Sequence, residues 1–348
     1  MRSPYRTLAT AAALVTLAAA ALTACGGEDD APAAADKTIT VYSGRSEELV
    51  KPILDKFSAD TGIKIDARYG NTAATATQLL EEGDKSPADV FFSQDAGALG
   101  AVAKKGLFAV LPDEVTGKVP ATYRAKSGEW VGVTARARVL VYSSDKVKED
   151  ELPKSVFDLT KPEWKGKVGV APTNASFQAF VTAITVQHGE AKAKEFLAGL
   201  KANDPQVRDG NGAIVEEVDA GEIPVGLVNH YYLGEIAKER GTAPDALKAK
   251  LHFFEGGDTG ALVNIAGVGV LKKAADNPDA RALVDYLLSP EVQALFVEQT
   301  AEYPVVSGIP GPSYAPALDA LDVPDVDLND LDQLEATIAL IKDSGLVP

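Results

Sequence analysis

The chain has 348 residues, with 34 Lys and Arg against 50 Asp and Glu, a formal net charge of −16. A surface this acidic argues against binding nucleic acid and against electrostatic docking on anionic lipid. The single cysteine, Cys25, rules out a disulfide framework and a CxxC metal site.

The first segment predicts a location. Arg2 and Arg6 precede a run of Ala, Leu, Val and Thr that ends at Cys25, the charged-then-apolar order of an export signal. Residues 1–24 are expected to be a signal peptide. "LTAC", Leu22 to Cys25, resembles a lipobox, which implies lipidation on Cys25 and anchoring to the membrane outside the cytoplasm. Residues 25–36 are small, acidic and turn-rich, as a flexible tether is. Roughly 310 residues remain, enough for two lobes of ordinary size.

"KTITVYSG" alternates and is β-branched, which predicts a strand. "SEELVKPILDKFSADTG" sets Leu49, Ile53, Leu54 and Phe57 on a helical stripe and stops at Gly62. "IKIDARYG" predicts a second strand, "TAATATQLLEEG" a helix, "ADVFFSQ" a short buried strand and "AGALGAVAKKG" another helix. Strands alternating with helices predict mostly parallel sheets with helices on both faces. "VGVTARARVLVYSS" breaks the alternation with one long strand suited to crossing between lobes. "KVGVAPTNASFQAFVTAITVQHG" and "IPVGLVNHYYLGEIAKERG" then supply further strand–helix units, and "ALVNIAGVGVLKKA" a strand returning to the first lobe. The expected fold is α/β and two-lobed, with mixed, mostly parallel sheets joined by two crossing strands and a cleft between the lobes. Residues 37–134 and 261–310 form the expected first lobe, 135–260 and 311–348 the second.

Ligands of open α/β sheets lie beyond the carboxyl ends of the strands. Tyr231 and Tyr232 fall at such an end, between the strand "IPVGLVN" and the helix "LGEIAKER". Neighbouring residues point to opposite faces of a strand and lie about 100° apart on a helix. Only an irregular turn is therefore expected to aim both hydroxyls at one centre. Two readings stay open. One tyrosine packs while the other is solvated, or both phenols serve a hard trivalent cation that strips their protons.

Four further stretches bear on that choice: "EEGDKSPADVFFSQDAGALG" (Glu81 to Gly100), "WKGKVGVAPT" (Trp164 to Thr173), "VNHYYLGEIAKE" (Val228 to Glu239) and "AEYPV" (Ala301 to Val305). In that order they resemble the ferric-iron-binding proteins of bacterial ABC importers, from "ITVYSGR" to "ATIALIKDSGL". These belong to the type II periplasmic binding protein class. The resemblance implies that Tyr231 and Tyr232 give phenolate oxygens to Fe(III), and that phosphate or carbonate shares the metal. It implies partnership with permease and ATPase subunits, and action as a monomer. Arg136 fits a charged clamp for the anion, or else a strand-face salt bridge. Asn174 and Ser176 open a helix that would bind an anion or simply be capped. Asn211 and Asn229 match anion-holding positions in relatives, and either is equally suited to a turn.

The chain departs from its relatives in the first lobe. The place of a histidine ligand looks like Ser46, that of a glutamate like Ala73, and that of a third tyrosine like Phe177. Tyr42, Glu47, Tyr69, Gln94 and Asp95 lie at first-lobe strand ends and remain candidates to complete the coordination. His230 adjoins the pair before the turn; His188 and His252 have no partners in sequence; Tyr303 matches the family or fills the core. A second reading is an organic or oxyanionic solute stacked on the tyrosines. An exported enzyme is a third, without a GxSxG elbow, a P-loop or an HExxH helix to support it.

Overall fold

The computed structural model describes residues 37–347. The expected signal peptide, Cys25 and the tether lie outside the described residues. Ten strands are present: β1 (Thr38–Ser43), β2 (Lys64–Tyr69), β3 (Val90–Ser93), β4 (Val131–Ser143), β5 (Val168–Val170), β6 (Gln206–Val207), β7 (Val225–Asn229), β8 (Ala249–His252), β9 (Val263–Val270) and β10 (Tyr303–Pro304). The α-helices are α1 (Glu47–Thr61), α2 (Thr72–Glu82), α3 (Ala96–Lys104), α4 (Asp113–Thr116), α5 (Ala175–His188), α6 (Glu190–Ala202), α7 (Asn211–Ala220), α8 (Tyr231–Glu239), α9 (Pro278–Leu287), α10 (Pro290–Thr300) and α11 (Leu334–Asp343). Every strand and helix expected from hydrophobic pattern is among them. Gly62 ends α1 in the left-handed region at φ 73°, where a side chain would be strained.

β1 lies between β2 and β3, and β5 between β6 and β7, all in parallel. Each antiparallel pairing involves β4 or β9. Antiparallel pairing is thus more extensive than strand–helix alternation implies, because the two long strands run back against the βα units.

β4 holds the architecture together. Val131–Ala137 pair with β9, and Arg138–Ser143 pair with β7 and β8. All thirteen residues of β4 are buried. A strand presents alternate residues to one face, so Thr134, Arg136 and Arg138 share a side while Val133, Ala135, Ala137 and Val139 take the other. One strand therefore carries two guanidiniums into the interior at the point where its partners change.

The chain's last segment reaches elements on either side of that point. Asp332 pairs with Lys104 of α3 at 2.9 Å, and Thr337 of α11 meets Thr182 of α5, Oγ1 to Oγ1, at 2.6 Å.

Close packing also sets α7, whose first residue is Asn211. A Cβ on Gly226 of β7 would lie 2.2 Å from Ile214 Cγ2, and one on Gly169 of β5 would lie 2.8 Å from it. Gly226→Ala is expected to destabilise the protein by about 1–3 kcal/mol through overpacking. Adding Ile214→Ala should recover part of the loss, a coupling that urea denaturation of the two single variants and the double would measure.

Candidate functional site

The site forms where β4 changes partners. Arg136 faces Asn264 of β9 in register, and Arg138 faces Asn229 of β7. Arg45, Arg136 and Arg138 are each 2% exposed or less. A buried cation is costly unless paired. For two of the three the partner is Glu302, between α10 and β10 and fully buried. Arg45 grips it with both ends of its fork, Nη1 to Oε1 at 3.0 Å and Nη2 to Oε2 at 2.8 Å. The hydroxyls of Thr134 and Thr300 donate to Oε2 at 3.0 and 3.3 Å. Arg136 Nη2 lies 3.4 Å from Oε1. Burial would raise the Glu302 carboxyl, but Arg45 and Arg136 hold it below its ordinary value. The Nε, Nη1 and Nη2 atoms of Arg136 are buried without a hydrogen bond.

Arg138 points the other way along β4. Its Nη1 donates to Ser176 Oγ at 3.1 Å and its Nη2 to the Leu227 carbonyl at 2.9 Å, while Phe177 and Phe180 flank the guanidinium. Ser176 Oγ also accepts from Asn211 Nδ2 at 3.1 Å and donates to Asn174 Oδ1 at 2.7 Å. A hydroxyl has one donor and two acceptor positions, so Ser176 is fully engaged. Asn174 is the N-cap of α5, its Oδ1 also accepting the Ser176 amide at 3.0 Å. Asn211 Oδ1 and Asn229 Nδ2 stay buried and unpartnered.

The tyrosines do not sit in an irregular turn. They are the first two residues of α8, and His230 before them already has helical angles. Their rings nonetheless stack, with centroids 4.3 Å apart and planes 29° apart. At the first positions of a helix no preceding turn restricts χ1, so adjacent side chains can swing together. Tyr231 is 1% exposed and Tyr232 half-buried. Burial pushes the Tyr231 phenol well above its usual pKa, with Tyr232 and Glu235 adding to the rise and Arg45 opposing it. Burial and Glu235 also raise Tyr232, against hydrogen bonding from Tyr231 and Asn211. The site thus holds neutral phenols beside guanidiniums.

Of the other candidates, Asp95 is the one whose carboxyl feels the charge of Arg136. It caps α3 through Oδ1, which accepts the Ala98 amide at 2.9 Å, and its Oδ2 is buried and unpartnered. Burial raises its pKa to about 6 against the pull of Arg136. Gln94 beside it is half-buried. Tyr42 is drawn away towards α2, its hydroxyl 3.1 Å from Glu82 and 3.2 Å from Gln78. Tyr69 sits under the influence of Glu47 and Asp55 of α1, and Glu47 is exposed. Ser46 is exposed, whereas Ala73 and Phe177 are buried. His230 is fully buried; its Nδ1 accepts the Ala137 amide at 3.2 Å and its ring stacks on Tyr303 at 4.3 Å. Tyr303 donates to the Pro316 carbonyl at 2.8 Å. His188 meets Thr259 Oγ1 at 3.0 Å and His252 the Pro153 carbonyl at 3.1 Å, each away from the tyrosines.

Four residues of the cluster were not singled out from sequence: Arg45, Arg138, Glu302 and Glu235. Glu235 lies one turn beyond Tyr231, and its carboxyl rises to about 8 through burial and the charge of Glu302. The repeat "ARAR" in an otherwise apolar strand was the available signal for Arg138. Nothing local announces Arg45 or Glu302, whose pairing joins positions 257 residues apart. Among the described residues no group of three or more His, Cys, Asp or Glu is placed to hold a metal. The oxygen donors brought together are phenols.

A family model for bacterial extracellular solute-binding proteins matches residues 85–332. The chain is 35% identical to a Fe(3+)-binding periplasmic protein of Serratia marcescens, over 90% of this chain and 92% of that one. It is also 35% identical to the major ferric iron-binding protein of Neisseria meningitidis serogroup B, over 95% and 97%. The fold matches the crystal structure of iron-bound HitA from Pseudomonas aeruginosa with a TM-score of 0.83 and 35% identity, over 88% of this chain and 99% of that one. These relatives bind solutes rather than transform them, and the fold is that of the type II periplasmic binding proteins. By sequence and by fold, this chain belongs to the bacterial extracellular solute-binding protein family.

Proposed function

We propose that the protein captures ferric iron outside the cytoplasm and delivers it to the permease and ATPase subunits of an ABC importer. The observation that carries this reading is the stacked pair Tyr231 and Tyr232, set beside buried guanidiniums that favour the anionic form of a phenol. The names of the relatives, which bind ferric iron, support it. So does the donor set, since phenolate is a hard oxygen ligand suited to a trivalent ion and has precedent in haem proteins.

In this account Fe(III) binds through Tyr231 and Tyr232, and both phenols lose their protons. Two phenolates fill two of about six positions around a hard cation. Phosphate or carbonate takes others, held by the unpartnered nitrogens of Arg136 and by Asn229 Nδ2, with Asn174, Ser176 and Asn211 as the hydrogen-bonded wall that fixes Arg138 beside it. Asp95, with its buried and unpartnered Oδ2, is the first-lobe candidate to complete the set. The two lobes then hinge about β4 and its neighbours, as binders of this architecture do. Lipid on Cys25 keeps the protein at the membrane beside its permease, where it acts as a monomer.

Titrating the purified apo-protein with ferric citrate, with and without phosphate or bicarbonate, should produce a visible phenolate-to-iron charge-transfer band. Tyr231→Phe and Tyr232→Phe should each weaken it. An absence of colour under every anion would overturn the metal reading and favour an organic solute.

Acid should release the iron. Burial raises both phenols in the apo-protein, so metal must displace a proton from each, and protons compete as pH falls. Affinity is expected to drop roughly tenfold per released proton for each pH unit. A competition assay with a chelator at several pH values checks this; an affinity independent of pH would contradict double deprotonation.

A further inference from the structure

Among the described residues, Glu302 is the one carboxylate ion-paired with two buried arginines, and it divides them unequally. Its two oxygens are consumed by the Arg45 fork and by the hydroxyls of Thr134 and Thr300. Arg45 is thereby locked, with only Nε left over. Arg136 stands 3.4 Å away, close enough to feel the charge but without hydrogen-bond geometry, and all three of its nitrogens remain open. Buried donors without partners are rare in folded proteins, and three on one guanidinium call for an acceptor.

We propose that Glu302 is a positioning residue that sets which anion the site accepts, by cancelling the charge of Arg45 and leaving Arg136 with its whole guanidinium open. This rests on the anion-sharing reading above and deepens it. With Arg45 and Glu302 balanced, Arg136 is the guanidinium offered to the incoming oxyanion with all its nitrogens open, while Arg138 keeps its charge but spends both Nη atoms on neutral partners. Other groups facing it are Asp95, which draws on Arg136 from α3; Arg138, committed to Ser176 and Leu227; and Glu235 on α8. None of these hydrogen-bonds Arg136. Removing the Glu302 charge frees the Arg45 fork and adds a positive charge, which attracts a dianion more than a monoanion.

The test is calorimetric titration of the purified apo-protein, without iron, with hydrogen phosphate as a dianion and bicarbonate as a monoanion. All measurements are made at one slightly alkaline pH. Because iron is absent, the result is independent of whether the tyrosines ligate a metal. Glu302→Gln should raise the ratio of phosphate to bicarbonate affinity by about tenfold, the scale of one added charge at partly screened distance. Glu302→Asp keeps the charge and should leave the ratio near that of wild type. Arg45→Gln should lower the ratio.

The double variant Arg45→Gln with Glu302→Gln restores the charge balance and should return the ratio to the wild-type value. It also removes the Arg45 charge that Glu302→Gln alone would strand, so it remains informative if Glu302→Gln fails to fold by circular dichroism. An unchanged ratio in Glu302→Gln, a double variant that fails to return, or a wild-type apo-protein that binds neither anion would each overturn the proposal.

Discussion

The interior of this protein must accommodate three guanidiniums, and the rest of the site follows from how it does so. Arg45, Arg136 and Arg138 converge near the partner change of β4, in a chain whose overall charge is −16. Glu302 neutralises one of them through a two-point fork that bridges the first strand's end and the last helix before β10. Breaking a buried pair of this kind leaves a stranded charge and typically costs about 3–5 kcal/mol. The pair therefore acts as a fastener between distant parts of the sequence. It also keeps Glu302 ionised, so that Arg136 stays charged without being saturated.

The tyrosine pair gains its chemistry from that background. A phenol in a dry pocket resists ionisation, and burial lifts both groups. Nearby guanidiniums favour the phenolate, so burial and charge act in opposite directions on the same two phenols. Stacking places the two phenols on one side of the α8 start, which the alternation of a strand or the rotation of a helix would not do by itself. His230 beneath them is buried and neutral, its pKa lowered to about 3 by burial, and it serves as packing against Tyr303.

Much of the fold was legible in the sequence because hydrophobic spacing is a local signal. β1 to α3 follow directly from alternating and helical stripes ended by glycines, and β4 announced itself as a long uninterrupted strand. The pairing of β4 with β9, β7 and β8 depends on residues far away in sequence, and no local pattern encodes it. In the site, the tyrosines were visible because adjacent aromatics at a strand end are unusual, but their geometry was misjudged. Position in the first helical turn, rather than irregular backbone, brings them together. Arg136 was picked out while Arg138, two residues later on the same face, was passed over. Glu302 stood beside Tyr303 in "AEYPV", and only the folded chain connects it to Arg45.

The proposed site has Tyr231 and Tyr232 together holding ferric iron, with an anion against Arg136. A crystal structure of the protein loaded with ferric iron and phosphate, with data collected across the iron absorption edge, tests it most directly. One anomalous peak bonded to both phenol oxygens is expected, with the anion bridging from the metal to Arg136. Iron bound elsewhere, or a peak contacting only one tyrosine with Arg136 unengaged, would contradict it.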